Sequence, residues 1–212
     1  TAPSLTQRGL HWFFRTTADD AYFTDELFRF LDDLESRRHI QPGPMALVFE
    51  NGPLGTGLAA LQRVRAALDG TDIGIEVPYA AGDDDLTAKA ALVRDAAPRL
   101  ILQTSFERDA IRFMRAYESV GFHPPALFAM DGGFVSPSFL REVGTLAEGI
   151  LSRESWAKDL GGTTPLAAEV NELFRHRFYA DMTGHSARAF TALLVVADAI
   201  DRAGSLSTAR IR

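Results

Sequence analysis

The chain has 212 residues, a hydrophobic fraction of 46% and a net charge of −6. That length holds one large or two small domains with cores of their own. Its basic residues gather into no face or run, which argues against nucleic acid as a partner, because phosphate binding needs clustered positive charge. With no cysteine there is no disulfide, thiolate metal site or cysteine nucleophile. No apolar run approaches the roughly 18 residues of a membrane span. The opening Thr1-Ala2-Pro3, without Met or a signal-peptide pattern, reads as a processed or truncated product.

Apolar residues from Tyr22 to Leu34 recur at helical spacing, so a helix is predicted over 20–38, broken by Pro42-Gly43-Pro44. Met45–Phe49 is a short apolar run that reads as a buried strand. A helix follows over 55–68, then a strand over 73–77. Asp85 is placed to cap a helix running to about Ala97. Leu100–Leu102 is a strand, 109–120 a helix, and 126–129 a strand. Strand and helix alternate as in βαβ units, which gives a parallel sheet with helices on both faces. After the Gly161-Gly162-Thr163-Thr164-Pro165 linker the pattern becomes helical, over 165–180 and 185–203, with Gly204 suited to a left-handed cap. Ser207-Thr208-Ala209 begins a further helix that reads as cut short.

In an open parallel sheet, ligands sit beyond the carboxyl ends of the strands. Those ends carry Glu50-Asn51, Tyr79, Thr104-Ser105-Phe106 and Asp131-Gly132-Gly133. The set is polar, aromatic and acidic, as a small polar ligand requires, although strand-end loops are polar in any protein. Asp131 stands out, because two following glycines let backbone approach closely.

Other patterns read as structural. Gly55-Thr56-Gly57-Leu58-Ala59-Ala60 fits the dinucleotide spacing G-x-G-x-x-A. Four residues separate it from its strand, however, where that motif needs a tight turn. His11, His39, His123, His176 and His185 show no metal-ligand spacing. Asp83-Asp84-Asp85 lacks the spaced ligands of a calcium loop and reads as a turn before a helix. No cofactor is called for.

In order and spacing, these residues resemble the type I periplasmic solute-binding proteins, the branched-chain amino acid and amide binders of ABC transporters. Phe14-Arg15-Thr16-Thr17 is similar to the family's crossing between lobes. Glu50 to Gly57 is similar to its loop after the first strand of lobe two, and Gly82 with Asp85-Leu86-Thr87 to a family helix start. Ser119-Val120-Gly121 is similar to a helix end, and Gly184 to Gly204 to the helix after the chain returns to lobe one. The resemblance implies an α/β protein with a three-layer αβα lobe over 15–157. Residues 1–14 and 158–212 would form part of lobe one, most of which is absent, with hinges near Thr16-Thr17 and Ser155-Trp156.

The implied function is that of the extracytoplasmic solute-binding component of an ABC importer. It would be periplasmic or extracellular, with lipid anchoring through a missing N-terminus, and would close on an amino acid or related small molecule and deliver it to a membrane permease. The resemblance implies a binding protein and not an enzyme. Asp131 would meet a ligand ammonium, and Phe106 and Leu54 would pack its apolar body. Leu54 and Phe106 lack the tyrosine hydroxyls common at these places, and Thr104, Ser105 and Tyr79 complete the set. Two alternatives stay open from the sequence: a ligand-sensing domain of a receptor with the same fold, and a nucleotide-dependent doubly wound enzyme.

Overall fold

A computed structural model describes every residue except Thr1, Asp131 and Ser155. In chain order the main elements are α1 (Ser4–Gln7), α2 (Asp20–Arg38), β1 (Met45–Glu50), α3 (Pro53–Asp69), β2 (Ile73–Tyr79), α4 (Leu86–Ala96), β3 (Leu100–Thr104), α5 (Glu107–Ser119), β4 (Leu127–Ala129), α6 (Pro137–Val143), β5 (Ile150–Ser152), α7 (Pro165–Phe178), α8 (Gly184–Ala203) and α9 (Thr208–Ile211). They fall into two compact units. One comprises Ala2, Pro3 and Asp19–Arg153; the other comprises Ser4–Ala18 and Glu154–Arg212.

The first unit is built on a five-stranded, all-parallel sheet in the order β2-β1-β3-β4-β5. Side chains alternate between the two faces of a strand, and in β1 both faces are covered. Met45, Leu47 and Phe49 pack with Leu27, Phe28 and Leu31 of α2 and with Leu58, Ala59 and Ala66 of α3. Ala46 and Val48 pack on the other side, with Ala90 and Val93 of α4 and Phe113 and Tyr117 of α5. This two-sided burial is why β1 and β3 read as unbroken apolar runs. At the sheet's edge β2 has only one strand neighbour, and exposed and covered residues alternate along it.

Most predicted elements are present within two residues of their expected ends. α3 begins at Pro53, two residues earlier than its apolar pattern indicates, because proline is preorganised for the first helical position. Asp19 and Asp85 cap α2 and α4, accepting from the amides of Tyr22 and Ala88 at 3.0 and 3.1 Å. α6 and β5 had no counterpart in the sequence reading. β5 has three residues, too short for any periodicity to show.

In the second unit a 3-10 turn at Lys158–Gly162 leads into α7. Thr183 and Ser186 form a reciprocal capping box at the start of α8, and Gly204 ends it with φ of 53°. No helix among the described residues is long and apolar enough to cross a membrane.

Candidate functional site

The strand order reverses between β1 and β3: β2 lies on one side of β1, and the chain returns on the other side as β3. At their carboxyl ends, such a switch point is where an open parallel sheet forms a crevice. β1 and β3 run in register with Phe49 opposite Thr104, so Glu50-Asn51 and Thr104-Ser105-Phe106 leave the sheet side by side. Each leads straight into a helix, α3 or α5.

Phe106 is the N-cap residue of α5 and is 49% exposed, unusual for a ring otherwise attached to a core strand. Leu54, in the first turn of α3, is half-buried. Thr104 and Ser105 are buried at the strand end, and the Thr104 hydroxyl has no hydrogen-bond partner among the described residues. Tyr79 lies elsewhere. It is in the core, its ring 4.9 Å from that of Phe113 and its hydroxyl facing the Thr104 carbonyl at 3.5 Å. It supports the strand end from beneath and does not line the exposed rim.

Asp131 lies outside the described residues, but its neighbours show how that turn is held. The Met130 amide donates to the Gln103 carbonyl at 2.8 Å. A Cβ on Gly133 would come within 2.2 Å of the Ser105 carbonyl oxygen and 2.8 Å of the Glu107 amide nitrogen. Glycine at 133 thus lets the turn after β4 press on the turn after β3, backbone on backbone.

A buried polar chain beneath the site escaped the sequence reading. The Tyr117 hydroxyl donates to Gln103 Oε1 at 3.1 Å, and Gln103 Nε2 donates to Ser105 Oγ at 3.1 Å. Burial pushes the Tyr117 phenol far above its ordinary range, and Tyr79 nearby adds to the shift. Tyr117 is therefore a permanent donor. That fixes the Gln103 amide and in turn makes the Ser105 hydroxyl an acceptor toward Gln103. The available signal was a glutamine inside a strand that is apolar on both faces.

The dinucleotide-like spacing is accounted for by packing. A Cβ at Gly55 would lie 1.9 Å from the Glu50 carbonyl oxygen, while Gly57 has open space around it. Packing against the end of β1 is thus what requires glycine at 55. The Glu50 carboxylate accepts from the Gly52 amide at 2.8 Å, which puts negative charge beside the α3 N-terminus where a pyrophosphate would sit. Asp83-Asp84-Asp85 is a structural turn: Asp85 caps α4, Asp83 accepts from the Asp85 amide, and the Gly82 amide donates to buried Asp109 at 3.0 Å. Among the described residues there is no group of three or more side chains able to hold a metal ion.

A family described as periplasmic binding protein matches residues 7–212. Leu/Ile/Val-binding protein homolog 8 of Brucella abortus (strain 2308) is 22% identical over 207 residues, covering 94% of this chain and 51% of the relative. Of the solved structures, the leucine-binding protein LivK of Thermotoga maritima MSB8 superposes with a TM-score of 0.83 at 20% identity, over 98% of this chain and 57% of that one. LivJ of Streptococcus pneumoniae, in complex with isoleucine, gives a TM-score of 0.71 at 14% identity, over 86% and 50%. The chain spans about half the length of the relatives it matches. With its parallel sheet, its switch-point turns and a family match over nearly all its residues, the chain belongs to the periplasmic binding protein family, with the type I fold.

Proposed function

We propose that this chain is the ligand-gripping part of an extracytoplasmic solute-binding protein that serves an ABC importer, and that its solute is an aliphatic amino acid or a close relative. The observation that carries the reading is the exposed Phe106 at the end of β3, beside half-buried Leu54 and the hydroxyls of Thr104 and Ser105. An exposed ring and a leucine offer an apolar wall without phenol donors, which suits a hydrocarbon side chain better than a polar one. Asp131 supplies a carboxylate for the ligand ammonium, a charge-assisted bond. The names of the relatives, Leu/Ile/Val-binding protein homologues and leucine-binding proteins, agree with that chemistry.

Capture proceeds by hinge closure between two lobes, driven by contacts made only in the closed state. The loaded protein then meets its membrane permease outside the cytoplasmic membrane. Thermal shift of the full-length protein against leucine, isoleucine, valine, small amides, aromatic acids and NAD tests the proposal, because a ligand specific to the folded state raises the melting midpoint. A rise with the branched-chain amino acids is the expected result. A rise with NAD alone, or with small amides or aromatic acids in preference to the aliphatic amino acids, would sink it.

A further inference from the structure

We propose that Arg153 is a positioning residue for the binding turn after β4, and that it ties this turn to the place where the chain passes out of the lobe. The inference rests on the solute-binding reading above.

Arg153 follows β5 directly and is the last residue of the first unit. Its side chain is 13% exposed and, among the described residues, makes contacts of three kinds. One arm donates to the Asp20 carboxylate at 3.0 Å, a group that is itself 3% exposed. The guanidinium carbon lies 4.2 Å from the centre of the Phe23 ring. Nε donates to the carbonyl oxygen of Met130. A single planar fork thus joins the first turn of α2, the exit of β5 and the carbonyl immediately before residue 131.

The last of these bonds connects Arg153 to the site. The turn after β4 is gripped at residue 133 by close approach to Ser105 and at residue 130 by Arg153. Lysine could keep the charge toward Asp20, but its single point charge cannot make the same planar, directed set of bonds. The arginine is more than a counter-ion here.

The next residue is held within the second unit. Glu154, the first residue of this segment in the second unit, accepts from Arg188 at 3.2 Å. A Cβ at Gly184 would lie 2.1 Å from its carboxyl carbon, so the carboxylate is set against the start of α8. Consecutive residues of opposite charge are held by different units.

The test is a three-variant comparison in the full-length protein, with L-leucine as the calorimetric probe and hydrogen exchange as a ligand-free readout. Arg153→Lys is expected to weaken leucine binding by about tenfold, in line with a lost charge-assisted bond to a buried carbonyl. Amide exchange should accelerate over residues 132–134 while β1 stays protected. Asp20→Asn breaks the ion pair but leaves the bond to Met130; it is expected to lower the melting midpoint while changing affinity less than about threefold. Phe23→Leu, the mildest change, should fall between them. Equal affinity losses in Arg153→Lys and Asp20→Asn would reduce Arg153 to a structural ion pair and overturn the inference. Unchanged exchange at 132–134 in Arg153→Lys would overturn it as well. Wild-type protein that binds no leucine would instead remove the solute reading, and exchange at the turn would still decide the positioning role.

Discussion

Gly57 and Gly133 look alike in the sequence, each in a glycine-bearing turn or helix start beyond a strand, yet their surroundings are opposite. At Gly133 a methyl group would collide with the backbone of the Ser105–Glu107 turn. Gly133→Ala is therefore expected to destabilise the fold by about 1–3 kcal/mol, because backbone cannot yield as a flexible side chain can. At Gly57, inside α3 with nothing within 4 Å, alanine is expected to stabilise by roughly 1 kcal/mol through helix propensity alone. Urea unfolding of both variants checks the pair. A destabilised Gly57→Ala would return a special backbone role to that glycine. Which of two glycines carries the close approach depends on what folds against it, and nothing local to either residue discloses that.

At the scale of elements, a polar cluster ties the turn between α7 and α8 in the second unit. Buried Asn171 donates to Asp181 at 2.9 Å and accepts from the Met182 amide at 2.8 Å, while Lys158 and Arg175 approach the same carboxylate at 3.3 and 3.4 Å. The Asn171 hydrogen bond, helped by Lys158 and Arg175, holds the Asp181 carboxyl below its ordinary value of 3.8 against an opposing push from desolvation. A group whose folded value is depressed contributes stability above its unfolded pKa and loses it as pH falls through the folded value. The contribution of Asp181 is thus complete at neutral pH and fades below about pH 3.8. Acid titration followed by circular dichroism should show Asp181→Asn less stable than wild type at pH 6, with the two curves converging in strong acid. A constant offset at all pH values would mean that the charge of Asp181 has no part in holding the turn.

For the whole molecule, α8 poses the main question. Leu193, Leu194, Val195 and Val196 are successive residues, so they point to all sides of the helix, and all four are exposed. Trp12, Phe14, Val195 and Val196, with Ile211 of α9, also line an open cavity of about 700 Å³ in this unit. A helical stretch that is apolar on every side, as 192–197 of α8 is, is built to be buried, and a patch of this kind on a free surface drives association. The 212-residue chain by itself is expected to self-associate as its concentration rises. Leu193→Glu with Val196→Lys should restore the monomer in sedimentation velocity without loss of helical signal. Association undiminished in that double variant would place the sticky surface elsewhere.

Much of the first unit was legible in the sequence because local chemistry and tertiary burial agree there. Two-sided burial leaves unbroken apolar strands at 45–49 and 100–102, and carboxylates stand ahead of α2 and α4. From these the alternating order, the parallel sheet and the strand ends that carry Phe106, Ser105 and Thr104 all follow. The short α6 and β5 left no periodic trace, since three or seven residues complete too few turns or pleats to show one. Tyr79 read as a rim residue because position along a strand does not say which way the last side chain turns; its pairing with Phe113 settles that. The hold of Arg153 on Asp20, Phe23 and Met130 joins residues up to 133 positions apart. Sequence by itself determined which segments become strands and helices, because those depend on neighbours a few residues away. The tertiary structure alone decided which strand ends meet and which polar groups find each other in the core, because such contacts exist only once distant segments have packed.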